Sequence, residues 1–130
     1  LARPEYPADR LVNCVVADIT KTTFARQSFD CVVTLGFLHR VPPELKRAAL
    51  REITALSKRV VIISCSVDTR SQRIKHGLLR VLKPNHVPAP CPAPLCDMIT
   101  DCQATGFRVE RAFMTLPIAS AHAILVLVRP

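Results

Sequence analysis

The sequence holds no tryptophan, one tyrosine and three glycines, at positions 36, 77 and 106. Its five phenylalanines are scattered over 130 residues, so there is no aromatic platform on which the bases of a single strand would stack, and nucleic acid is not an expected partner. Glycine is too sparse for a glycine-rich turn of the kind that lets backbone approach a nucleotide closely, since no two glycines fall near each other. Long apolar runs are missing too. Nothing approaches the roughly 18 to 20 unbroken apolar residues of a membrane-spanning helix, and the opening LARPEYPADR lacks the apolar centre of a secretory leader. Acidic residues are also scarce, 10 against 18 Lys and Arg. The formal net charge of +8 draws anions to the surface, whether nucleotide, nucleic acid or lipid headgroup.

What is present is enough apolar material, 49% of the chain, for one domain spanning residues 1–130 with a core of its own. Of the six cysteines, Cys14, Cys31 and Cys65 sit inside apolar runs, where a free thiol behaves as a small hydrophobe; this points to a reducing, cytoplasmic setting. His86, Cys91, Cys96 and Cys102 are spaced by five, five and six residues and lack the close cysteine pairs of a structural zinc site, so no metal site is expected.

Along the chain, LVNCVVAD (11–18) is rich in β-branched residues and ends in an acid, as a strand facing a cleft would. After a polar connector, FDCVVTL (29–35) is almost continuously apolar and predicts a strand buried on both faces of a parallel sheet. VPPELKRAALREITALSKR predicts a helix: Pro43 suits its first turn, Glu44 its positive end, and Lys58 and Arg59 its negative end. Leu45, Ala49, Ile53 and Leu56 form its apolar stripe, with Glu52 on the same side in a structural role. VVIISCS (60–66) is a further buried strand, which makes a right-handed parallel crossover with the one before. A basic helix, TRSQRIKHGLLRVLK, leads into a proline-rich surface loop over 84–94; then come a helix closed by Gly106 and two strands, FRVERAFM and SAHAILVLVRP. The sum is an α/β fold of about five strands, mostly parallel with an antiparallel strand near the C-terminus, and three helices.

VVAD, QSFDCVVTLGFLHRV, LREITALSKRVVIIS and LCDMITDCQATGFRVERAF, in that order, make the chain similar to the second half of the Rossmann-like S-adenosylmethionine-dependent methyltransferases. The resemblance covers residues 12–129 and implies a methyltransferase acting on a small molecule. It also implies that the glycine-rich, cofactor-binding half is absent, so the chain by itself is expected to be inactive, a C-terminal fragment whose complete protein uses S-adenosylmethionine.

Carried over position by position, the resemblance puts Asp18 near the adenine amino group, with Ile19 beside it, and Thr34, Leu35 and Gly36 at the ligand edge of the sheet. Asp18 has an equally weighted reading as a turn cap. His39 matches a position near the methyl-transfer cleft, where a neutral imidazole can accept a proton, and is the candidate catalytic residue; its bland reading is a cap for the helix that follows. Asp30, at the strand's foot, is read as structural.

Residues 69–94 are read as a substrate-side lid. Within them, Ile74, Leu78, Val81 and Leu82 form an apolar stripe among Arg70, Arg73, Lys75, Arg80 and Lys83 over 70–83. The favoured reading is a helix packed on the sheet with a solvated basic face; peripheral membrane contact is the other. A catalytically inactive module that binds a protein partner or an anionic membrane is the alternative function. An apolar strand at 29–35 would also need its edge covered, by strand 12–18 or by a second copy in a homodimer.

Overall fold

Valines and a phenylalanine build β1 (Phe29–Thr34), and after a 3₁₀ turn at Leu38–Arg40 the chain enters α1 (Pro43–Leu56) in a computed structural model that describes residues 15–82, 91–114 and 122–130. Pro43 stands in the first turn, where its missing N–H costs nothing, and Glu44 follows it at the positive end. The helix stops at Leu56, three residues before the expected end. Ser57 is extended, its hydroxyl donates to the carbonyl of Val60 at 2.8 Å, and Lys58 and Arg59 already belong to β2 (Ser57–Ser66).

The chain continues through α2 (Arg70–Leu82), α3 (Leu95–Gln103), β3 (Arg108–Met114) and β4 (His122–Val128). Gly106, after α3, adopts φ +85°, a turn conformation that suits glycine. The sheet order is β1-β2-β4-β3. β1 pairs parallel with β2, while β4 runs antiparallel to both β2 and β3, so β1, β2 and β3 point the same way. This is the expected α/β class with three α-helices and four described strands instead of about five. The difference is the first expected strand: residues 15–18 carry no strand pairing and are exposed, and 11–14 lie outside the described residues.

The core lies on one face of the sheet. Ala49, Leu50 and Ile53 of α1 and Met98 and Cys102 of α3 pack over Val61, Ile63 and Cys65 of β2 and Ala123, Leu125 and Leu127 of β4. The predicted stripe of α1 is turned by one position at its start: Leu45 is 40% exposed, and Lys46 is buried with its ammonium 3.4 Å from the carbonyl of Cys91.

No helix covers the opposite face among the described residues, and this corrects the expectation for 29–35. Val33 is 54% exposed because its pairing with Ile62 turns it away from α1 and α3, and Cys31 on the same side is exposed as well. α2 is the second correction. Its stripe is not packed on the sheet; Ile74, Leu78, Val81 and Leu82 are all exposed. The loop over 84–94 is described only from Cys91 onward.

Candidate functional site

The C-terminal ends of β1 and β2 lie side by side, and β4, being antiparallel, begins at the same end with His122 opposite Ser66. In an open sheet this is the edge at which ligands bind. Thr34 closes β1, Leu35 projects into solvent at 68% exposure, and Gly36 turns the chain with φ +68°. The Gly36 N–H donates to Ser64 Oγ at 2.9 Å, and its carbonyl accepts from Arg40 Nε at 3.0 Å. No atom lies within 4 Å of where a side chain would begin at Gly36, so the backbone borders open space there.

Phe37 then packs against the core and Leu38 is fully buried. His39 is buried too, with 6% exposure, and its ring stands edge-on to His122, centroids 5.7 Å apart. Its Nδ1 is buried and has no hydrogen-bond partner among the described residues. Burial, and then the nearby His122, Arg40 and Lys46, push the His39 pKa below its ordinary value, so the ring is neutral at physiological pH. His39 does not cap α1 with its side chain, since α1 has no side-chain cap. Its carbonyl instead accepts from the Cys91 N–H at 3.0 Å and ties the end of the proline-rich loop to the site.

Asp18 stands apart from this cluster. Its Oδ1 accepts both the N–H and the hydroxyl of Thr20 at 2.8 Å, and the Lys21 N–H bonds the Asp18 carbonyl at 3.1 Å, closing a turn. The backbone bond from Thr20, then its hydroxyl, hold the carboxylate below its usual pKa. Ile19 is half-buried against the core. Thr20 lines a cavity of about 550 Å³ with Arg26, Arg51, Glu52 and Arg129, and the neighbouring Gln27, Ala55 and Phe107 place that cavity toward the strands' N-terminal ends, opposite Gly36. It is a structural seam. Arg129 is committed to the carbonyls of Thr54, Ser57 and Lys58 and stacks over Phe107, and Glu52 accepts from the Thr22 hydroxyl at 3.3 Å, the structural role expected of it. Asp30 pairs with Lys58 at 3.6 Å on an open surface, where such a pair contributes little.

Three residues at the strand-end site were not singled out from sequence: Ser64, His122 and Lys46. Ser64 was visible as the lone hydroxyl inside VVIIS. The other two depend on long-range packing.

A family model described as a methyltransferase domain matches residues 1–65. No curated protein sequence matches the chain. Among solved structures, magnesium protoporphyrin IX methyltransferase from Synechocystis PCC 6803, with bound SAH, superposes at a TM-score of 0.69 with 21% identity, over 88% of this chain and 49% of that one. The 1,6-didemethyltoxoflavin-N1-methyltransferase of Burkholderia thailandensis, with its namesake ligand and S-adenosylhomocysteine bound, gives 0.64 and 13% over the same two shares. Mitomycin 7-O-methyltransferase gives 0.60 and 19%, over 88% of this chain and 33% of that one. The chain thus spans about half the length of the first two structures.

Proposed function

The chain belongs to the methyltransferase domain family, and from that premise we propose that it forms the strand-end part of an S-adenosylmethionine-dependent methyltransferase that acts on a small molecule. The observation that carries the reading is Gly36, a positive-φ residue at the C-terminal end of β1 with open space beside it and its N–H held by Ser64. Structural relatives that carry S-adenosylmethionine or SAH, one of them with a small heterocycle, support the reading of cofactor and substrate class.

At the strand ends Gly36 leaves room for close approach of the cofactor. Asp18, with an ionised, exposed carboxylate engaged by Thr20 in its own turn, and Ile19 are the purine contacts in this proposal, and they stand apart from Gly36 in this structure. The bound cofactor supplies an electrophilic methyl group. This chain's part is to orient the acceptor at the strand ends, with the neutral ring of His39 packed beside that edge and its Nδ1 buried away from the acceptor. Residues 69–94 form the substrate-side cap in this proposal. Val67 bridges Ala93, and the Asp68 N–H bonds the Ala93 carbonyl at 3.0 Å, so both roots of the cap meet at the end of β2.

A second reading, a module without chemistry, is favoured by one observation: the Asp18 carboxylate is already engaged in its own turn. Titrating the labelled chain with S-adenosylhomocysteine while following amide shifts separates the two. Weak, millimolar-range shifts at Ile19, Leu35 and Gly36, with Gln27 and Arg129 still, are expected. No shifts, or shifts confined to Arg26 and Arg51, would remove the cofactor reading and leave the module.

A further inference from the structure

Helix α2 has an exposed apolar stripe that no element packs on among the described residues. Ile74 is 74% exposed, Leu78 61%, Val81 80% and Leu82 67%, and none of these four belongs to the core cluster. Four large aliphatic side chains on one side of a 13-residue helix are costly in water, far beyond the scattered single exposures of an ordinary surface. The helix is not loose at its root. Asp68 accepts two bonds from Arg73 Nε, each at 3.0 Å, and Asp68 itself is bonded through its N–H to Ala93.

Charge says what would cover the stripe. RSQRIKHGLLRVL has basic residues at 70, 73, 75 and 80 and no acid, on a chain already at +8. In the sequence Arg73, which also pairs with Asp68, and Lys75 stand one position before and after Ile74. An apolar wedge flanked by cations, roughly 20 Å long and so too short to cross a bilayer, is the pattern of a helix lying in an anionic membrane interface. The stripe also holds no aromatic residue of the kind that anchors protein–protein interfaces.

We propose that α2 docks the chain on an anionic lipid bilayer, seating Ile74, Leu78, Val81 and Leu82 below the headgroups while Arg70 and its basic neighbours meet the lipid phosphates and carboxylates. The docking uses the open face of a helix that the proposed function places in the substrate-side cap, and its tests read vesicle binding, not methyl transfer.

The chain has no tryptophan, so Leu78→Trp in the full chain is a single emission probe. With vesicles of phosphatidylcholine and phosphatidylserine its emission should shift to the blue. With phosphatidylcholine alone it should stay put, and added salt should weaken the effect. In co-sedimentation, Leu78→Asp with Val81→Asp should bind the anionic vesicles at least about tenfold less tightly, with an unchanged circular dichroism spectrum because both positions are exposed. An unmoved Trp emission overturns the proposal. So does vesicle binding that survives the double Asp substitution, which would be mere attraction of a basic protein to polyanions. A native dimer that the same substitutions turn into a monomer overturns it as well, since a second copy would then cover the stripe.

Discussion

At the scale of single residues, the site depends on conformations and protonation states that only certain side chains allow. Gly36 holds φ +68° with nothing within 4 Å of the added carbon, so Gly36→Ala meets no clash. Its cost is conformational, about 1–2 kcal/mol for an L residue held there, and urea unfolding should read it. Ser64→Ala leaves the Gly36 N–H without its 2.9 Å partner and should cost about 1 kcal/mol in the same assay. His39 gives a pH signature. Its folded pKa lies below its ordinary 6.5, so the unfolded chain binds the extra proton first. The stabilisation tied to this is therefore full above about 6.5 and is lost as pH falls toward the folded value. Thermal midpoints should drop between neutral and mildly acid pH, and His39→Asn should flatten that part of the profile. An unchanged slope in the variant would assign the acid loss to other groups.

At the scale of elements, most of the architecture was legible and its limits have physical reasons. Pro43 and Glu44 mark where α1 starts, and the β-branched runs mark β1, β2 and β4. The end of α1 was missed because Ser57, Lys58 and Arg59 suit a helix terminus as well as a polar strand start, and only pairing with β1 and β4 decides between them. Periodicity says which residues of α2 share a face but not whether another element covers that face, so its stripe was placed against the sheet when it lies open. Among candidate site residues, Gly36 was singled out by its place after an apolar strand and His39 by the family resemblance. His122 was not, because it reaches His39 only through the antiparallel β2–β4 register. The corrected stripe of α1 can be checked directly. Ile53→Ala removes a fully buried side chain and should cost about 2–5 kcal/mol, whereas Leu45→Ala, at a position 40% exposed, should cost less than about 1 kcal/mol in the same denaturant series.

At the scale of the whole molecule, the sheet is a layered structure with one layer missing among the described residues. Helices α1 and α3 cover one face, while on the other Val33 and Phe113 stand 54% and 48% exposed and Ile62, Ile124 and Val126 are only half-buried. β1 is also the sheet's edge strand, paired on one side alone among the described residues, with Asp30 as its single charge. The expected cover from strand 12–18 does not form within residues 15–18. An apolar edge beside an apolar face is a template for pairing with another chain, and a second copy meeting it across a two-fold axis would extend the sheet and bury both at once. Light scattering over a range of concentrations should therefore show the chain associating. Val33→Lys should shift it toward monomer without lowering its unfolding midpoint, because Val33 is not part of the core. The same substitution should leave vesicle binding unchanged, since Val33 lies on β1 and the exposed stripe on α2. A strict monomer at high concentration, indifferent to Val33→Lys, would show that this face tolerates water and would sink the pairing argument.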